Sequence, residues 1–361
     1  MAQTTFANAL LRWYSKNFRQ LPWRKTTDPY KIWISEIMLQ QTTVSAVIPY
    51  YQRWLAAFPS IEHVARAPLQ KILKVWQGLG YYQRARNVHA SAKIICQKYG
   101  GQIPQTADEL RKLPGLGPYT VGAVLSIAFD KRHPIVDANV RRVVMRQLML
   151  KGEATSVHDP DILRFLEEVM PFKKISIFNQ ALMELGALIC RNRQPLCLAC
   201  PVRQSCKAYA AGVQEIVPQP KKKVVNDIEA VIAVIEKKGK FLIQQRASHG
   251  LLADLWEFPG GKIKPRERPL KALFREVREE LGVELESAKA FMNVKHFYTQ
   301  FRVNLNVFNC RLKTYPTEDA THKWVPCQNL VKYPMPSGSA KIVERLLLTT
   351  ADAKRQCLIN T

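Results

Sequence analysis

Leu113-Pro-Gly-Leu-Gly-Pro-Tyr-Thr120 is set between two stretches of helical periodicity, and further on the chain reads Pro134-Ile-Val-Asp-Ala-Asn-Val-Arg141, whose Asp137 lies twenty residues past Gly117. Gly115 and Gly117 permit a tight turn that leaves backbone amides exposed, and a helix begins directly behind them. Such amides at a helix start form a ready site for a nucleic-acid phosphate, although a Pro-Gly-x-Gly run also makes an ordinary turn. Asp137 has a structural reading of its own. Aspartate is a favoured helix N-cap, and beside the helix dipole a capping carboxylate stays ionised.

Upstream, Asp28-Pro-Tyr-Lys-Ile-Trp-Ile-Ser-Glu-Ile-Met-Leu-Gln-Gln-Thr42 predicts a capped helix with Pro29 in its first turn, preceded by Leu21-Pro-Trp-Arg24. A helix glutamate ordinarily sits solvated on an outer face. Glu36 instead is flanked by Trp33, Ile34, Ile37 and Met38. Further on, Gly78-Leu-Gly-Tyr-Tyr-Gln-Arg-Ala-Arg-Asn87 offers Tyr81 either as a core aromatic or, with Arg84 and Arg86 close by, as a base-stacking residue. From residue 5 to about 210 the pattern is helical throughout, with short Gly/Pro breaks and no long strand-like alternation.

Four of the eight cysteines fall in one run, spaced Cys190-x6-Cys197-x2-Cys200-x5-Cys206. A disulfide framework is unusual in a large chain of this kind, whereas clustered thiolates usually mean metal. Four thiolates within 17 residues can hold zinc or an iron–sulfur cube. Structural zinc sites more often use two separated close pairs, and here there is a single Cys-x2-Cys.

After the Pro- and Lys-rich connector at 217–227 the period changes to two. Ile228 to Ile235, a turn at Lys238-Gly239 and Phe241 to Gln245 predict a β-hairpin. Phe301, Val303, Leu305 and Val307 alternate with polar residues as in a half-buried strand, and a helix is expected near 270–281. Within this part stands Gly261-x5-Glu267-x7-Arg275-Glu-Val-x-Glu-Glu-x-Gly-Val283. Its Glu276, Glu279 and Glu280 share one helical face. Three crowded negative charges there need a cation, either magnesium or neighbouring Arg266, Arg268, Arg275 and Arg278. The expected fold is therefore multidomain: an all-helical domain at 1–216, a linker at 217–227 and a smaller α/β domain at 228–361.

The chain has 361 residues, and 54 Lys+Arg against 29 Asp+Glu leave a formal charge of +25. Self-repulsion of that size points to a polyanionic partner, with nucleic acid the first to consider. Hydrophobic residues make up 47%, which excludes global disorder. No run approaches the roughly 18 apolar residues of a membrane span, and the first 21 residues lack a signal-peptide core. A basic, soluble, monomeric protein of a bacterial-type cytoplasm, associated with the nucleoid, is expected.

The cysteine spacing resembles the 4Fe–4S loop of the endonuclease III superfamily of DNA glycosylases. The Gly115/Gly117 turn followed by Asp137 is similar to the helix–hairpin–helix plus Gly/Pro…Asp signature of the same superfamily, which favours the phosphate reading. Residues 28–42 and 78–87 closely resemble adenine DNA glycosylases, which remove adenine mispaired with 8-oxoguanine, and the likeness runs through most of 10–210. That resemblance implies a 4Fe–4S cluster on Cys190, Cys197, Cys200 and Cys206, with Arg191, Arg193 and Lys207 available to DNA. It implies Glu36 as general acid with a raised pKa, Asp137 as the second carboxylate, and Tyr119 and Asn139 in support. Gln41 and Tyr81 would enter the base stack, Gln180 would contact the adenine, and Arg24 would serve binding. Bifunctional glycosylase–lyases of the superfamily carry a lysine where this chain has Tyr119, so a monofunctional enzyme is implied. Double-stranded DNA with A:8-oxoguanine or A:G mispairs is the implied partner.

The Gly261 to Val283 pattern matches a Nudix box, and Leu255-Trp-Glu-Phe-Pro-Gly260 leads into it as in Nudix enzymes that hydrolyse oxidised nucleotides. In adenine DNA glycosylases the C-terminal domain resembles a Nudix domain that recognises 8-oxoguanine. The implied fold is thus a helix–hairpin–helix glycosylase domain with its 4Fe–4S loop, followed by a Nudix-like α/β sandwich. Mg2+ on Glu276, Glu279 and Glu280, with hydrolysis of oxidised triphosphates, is the alternative. The place of the family's Phe-Ser-His recognition loop reads Tyr298-Thr299-Gln300, where Thr299 keeps a hydroxyl.

Overall fold

The computed structural model describes residues 2–220, 225–298 and 301–359. In chain order its helices are α1 (Ala2–Asn17), α2 (Pro29–Leu39), α3 (Val44–Ala57), α4 (Ile61–Arg66), α5 (Leu69–Trp76), α6 (Gln83–Tyr99), α7 (Ala107–Arg111), α8 (Pro118–Ala123), α9 (Ala138–Leu148), α10 (Asp159–Val169), α11 (Ile175–Leu188) and α12 (Lys207–Ala210). Strands β1 (Asn226–Lys237), β2 (Lys240–Gln245), β3 (Trp256–Glu257) and β4 (Gly260–Lys262) follow. Then come α13 (Pro269–Leu281), β5 (Leu285–Tyr298), β6 (Phe301–Leu312), β7 (His322–Pro326) and α14 (Ser337–Ile359). They form two compact units, residues 1–66 with 87–222 and residues 67–86 with 223–361. No helix among the described residues is long and apolar enough to cross a membrane.

The first unit is all helical. One of its cores joins Leu10 of α1, Val140 and Val144 of α9, Ile162 and Leu166 of α10, and Phe178, Leu182 and Leu185 of α11. Helix α2 is apolar on every face, and a helix of that kind can only be central. Ile32 to Met38 are accordingly all buried. Asp28 caps it, accepting from the amides of Tyr30 at 2.9 Å and Lys31 at 3.4 Å, with Pro29 next. Between α7 and α8 the turn uses Gly115 at φ 79°, where a Cβ would stand 2.7 Å from the Asn87 side chain. Gly117 is extended rather than left-handed, and it is the residue before α8. Helix α8 runs on into a π-helical turn, Val124–Ala128, packed under α2 through Ile32 and Ile127.

The second unit is built on a sheet ordered β3-β2-β1-β6-β5, with β4 on β1 and β7 on β2. β1 and β2 form the expected hairpin around Lys238-Gly239, and β1 runs parallel to β6 from Asn226↔Phe301 to Ile235↔Cys310. Residues 230–235 of β1 are buried without interruption. Ile232 and Val234 face a core completed by Ile342, Val343 and Leu346 of α14. Val231, Ala233 and Ile235 face another completed by Ala272, Leu273 and Val277 of α13. Helices on both sides of the sheet make this unit the α/β sandwich that the sequence implies, and they explain why residues 230–235 are buried on both faces where a period of two was expected.

Candidate active site

A cavity of about 920 Å³ in the helical unit is lined by Glu36, Tyr119, Asp137, Asn139, Gln41, Gln180 and Arg24 together. The chain brings these from α2, α8, the start of α9, α11 and the Pro22–Lys25 turn. Glu36 is only 4% exposed, and the Tyr119 hydroxyl donates a short hydrogen bond to its Oε2. Burial pushes Glu36 up to about 7, with Asp137 adding to the rise, while the Tyr119 hydrogen bond and Arg24 oppose it. A carboxyl in that range carries its proton near neutral pH and can give it away.

Asp137 does two things at once. It caps α9, its Oδ1 accepting the Val140 amide at 2.6 Å, and its Oδ2 accepts Asn139 Nδ2 at 3.0 Å. Burial still raises its pKa, against the lowering by those two donors and by Arg142. The capping amide therefore does not hold Asp137 at an ordinary carboxylate value. Asn139 is held in turn by Arg142, whose Nη2 donates to its Oδ1 at 2.9 Å. Arg142 also donates to the carbonyls of Gly186 at 2.7 Å and Cys190 at 2.8 Å.

Glu184 is a residue the sequence reading passed over. Its side chain is fully buried on the cavity wall, paired with Arg19 and Arg24 at 2.7 Å each. Burial alone would raise it, but the two guanidinium groups reverse the effect and hold it at about 2. Arg24 is thus engaged by an anion already present. The signal was a lone charge in Ala181-Leu-Met-Glu-Leu-Gly-Ala-Leu188, one helical turn from Gln180. Gln180 is within 3.0 Å of Ser176 Oγ through Nε2 and 3.5 Å of the Tyr14 hydroxyl through Oε1. Gln41 is exposed, in a left-handed conformation at φ 56°.

The other sequence candidates fall elsewhere. Gly115 and Gly117 form the α7–α8 turn. Tyr81 belongs to the second unit, partly buried, with the Arg84 guanidinium 5.2 Å from its ring centroid. Thr299 lies outside the described residues, as does Gln300.

Cys190, Cys197, Cys200 and Cys206 line one small cavity and none is in a disulfide. Among the described residues no three His, Cys, Asp or Glu side chains close on a single-ion site. A cube that gives each thiolate its own iron needs no such convergence. The donor set suits one: burial and the mutual repulsion of the thiolates raise Cys197, Cys206 and Cys200, the last to about 12, so the group calls for a cationic core. Arg146 braces the loop through Cys190 Sγ at 3.3 Å and the carbonyl of Arg191 at 2.7 Å. Arg191, Arg193 and Lys207 are exposed.

In the second unit, Arg275 bonds Glu267 at 2.8 Å, Glu276 at 2.6 Å and Glu279 at 3.1 Å. Glu280 instead accepts Gln244 Nε2 at 2.7 Å and the Gly260 amide at 2.8 Å. Arg275 thus forms an arginine network with Glu267, Glu276 and Glu279, one of the two readings of this face, and the network leaves out Glu280. It is centred on Arg275 alone of the four arginines considered, and Arg278 turns to Glu284.

Residues 34–167 match the model of the HhH-GPD superfamily base excision DNA repair proteins, and residues 230–345 match the NUDIX domain. An adenine DNA glycosylase of Buchnera aphidicola subsp. Schizaphis graminum (strain Sg) is 33% identical over 94% of this chain and 98% of its own. The Homo sapiens adenine DNA glycosylase is 32% identical over 86% of this chain and 67% of its own. Among solved structures, a thermostable thymine-DNA glycosylase superposes with a TM-score of 0.53 at 31% identity, over 58% of this chain and 97% of the other. Fold and site thus define a base excision repair protein of the helix–hairpin–helix class, extended by a Nudix fold. Within that class the chain belongs to the adenine DNA glycosylase family.

Proposed function

We propose that the protein hydrolyses the N-glycosidic bond of adenine mispaired with 8-oxoguanine, or guanine, in duplex DNA. The observation that carries this reading is a buried carboxyl at about 7, Glu36, sharing one cavity with a second carboxylate, Asp137. Glycosidic cleavage needs negative charge quenched on the leaving base and positive charge stabilised on the sugar. A flipped adenine in the cavity takes a proton from Glu36 as the bond to C1′ breaks. Asp137 faces the cationic sugar, and water adds to C1′, giving up its proton to solvent or to the Glu36 carboxylate. The Tyr119 hydroxyl holds Glu36 in place and offers no amine for a Schiff base, so the reaction ends at the abasic site.

The four cysteines are the proposed ligands of a 4Fe–4S cluster, which would supply structural cross-linking of the 190–206 loop. Residues 228–361, joined through 217–227, are the proposed reader of 8-oxoguanine, and the +25 charge the electrostatic footprint on DNA. One assay tests the reading: release of free adenine from an A:8-oxoguanine duplex by the parent and by Glu36→Gln. Binding without release by the variant is expected. Substantial turnover by Glu36→Gln would remove the acid role from Glu36.

A further inference from the structure

Residues 67–86 fold with the C-terminal unit, although they interrupt the helical one in sequence. Polar contacts fasten them along their length. Gln70 accepts the Trp256 indole N–H at 3.1 Å and donates to the carbonyl of Asp254 at 3.0 Å. Lys74 Nζ reaches the carbonyl of Tyr333 at 3.1 Å, and Gln77 Oε1 accepts the Met335 amide at 3.2 Å. The Tyr82 hydroxyl donates to the carbonyl of Met335 at 3.2 Å. Arg86 pairs with Asp254 at 2.8 Å, the two side chains only 15% and 16% exposed.

These contacts grip α5 on one side of the 77–82 turn and the first turn of α6 on the other. Tyr81 sits between the two grips at φ 50°. A tyrosine holds a left-handed conformation only where its surroundings impose it. We infer that the C-terminal unit sets the posture of Tyr81, with Asp254 and Tyr82 as positioning residues for selecting the base opposite adenine. The inference rests on the reading of Tyr81 as a residue that enters the base stack. It joins the fold that reads 8-oxoguanine and the side chain that probes the stack into one mechanical piece.

The test uses the full chain with Asp254→Asn, Tyr82→Phe and Tyr81→Ala. Asparagine tolerates the left-handed conformation of Asp254, φ 62°, and the backbone carbonyl bonded to Gln70 is kept. Hydrogen exchange in the free protein should quicken at 77–86 in both positioning variants. Binding is compared on A:8-oxoguanine and A:G duplexes carrying 2′-fluoro-deoxyadenosine, which resists cleavage because the fluorine destabilises a cationic sugar. The preference for 8-oxoguanine should fall about fivefold in each. Asp254→Asn combined with Tyr81→Ala should lose no more preference than Tyr81→Ala alone. Unchanged exchange, an unchanged preference, or fully additive losses would overturn the inference. If Asp254→Asn melts the C-terminal unit, Tyr82→Phe decides. A parent that releases no adenine would defeat the proposed function, while the exchange measurement still decides whether these contacts hold the turn.

Discussion

Arg142 donates its Nε to the backbone carbonyl of Cys190 at 2.8 Å while its Nη2 holds Asn139, the side chain that bonds Asp137. One guanidinium therefore ties the first cysteine of the 190–206 run to the second carboxylate of the cavity. Lysine keeps the charge but cannot make this planar set of bonds. Arg142→Lys should slow single-turnover adenine release about ten- to hundredfold through misplacement of Asp137, with DNA affinity little changed. A full rate in the variant would show that Asp137 is held adequately by its cap alone.

Glu36 links stability to pH. Its folded value of about 7 lies above the ordinary 4.5, so between those values the folded chain binds more protons than the unfolded one. Stability from this group is therefore full below about 4.5, falls as pH rises, and is lost above about 7. Glu36→Gln escapes the penalty. Thermal melting should show the variant gaining on the parent from pH 5 to 8, by an amount on the order of 2–3 kcal/mol at most. Parallel melting curves across that range would mean that Glu36 ionises freely.

What was legible in the sequence was local. Asp28 and Pro29 announce α2, the Gly115 turn and Asp137 announce α8 and α9, and the Lys238-Gly239 hairpin announces the sheet. Strand β5 was not, because Lys289, Asn293 and Lys295 dilute its alternation and two bulges shift its register. Helix α14 has only the spacing of Ile342, Val343 and Leu346 to declare it. Glu184 and the 67–86 segment were hidden for another reason. Their partners lie more than 150 residues away, as Arg19–Glu184 and Arg86–Asp254 show, and periodicity carries no record of such pairs.

The purified protein should be brown, with about four irons and four sulfides per chain. Cys200→Ser should lose iron and lower the melting temperature, because the 190–206 loop then keeps only bonds such as those of Arg146 and Arg142. Zinc instead of iron in anaerobically purified material would overturn the cluster assignment.

Tyr119→Phe isolates one hydrogen bond. The hydroxyl donates to Glu36 Oε2, and a donor of that kind stabilises the ionised carboxylate, so it pulls Glu36 down against the larger effect of burial. Phenylalanine keeps the ring packed on the core of Ile32, Ala123, Ile127 and Ile135 and removes the hydroxyl, with its bond to Glu36 and its 3.9 Å contact to Met183 Sδ. The Glu36 value should then rise above about 7. In the proposed mechanism the protonated acid is the working form, so adenine release should fall as pH passes the Glu36 value. In Tyr119→Phe that fall should move to higher pH, while the rate on the acid side drops because the carboxyl is less firmly oriented. A single-turnover pH series on an A:8-oxoguanine duplex reads both effects. A midpoint that stays put or moves to lower pH would show that the hydroxyl does not tune the acid. A drop in rate with no change in midpoint would leave Tyr119 an orienting role alone.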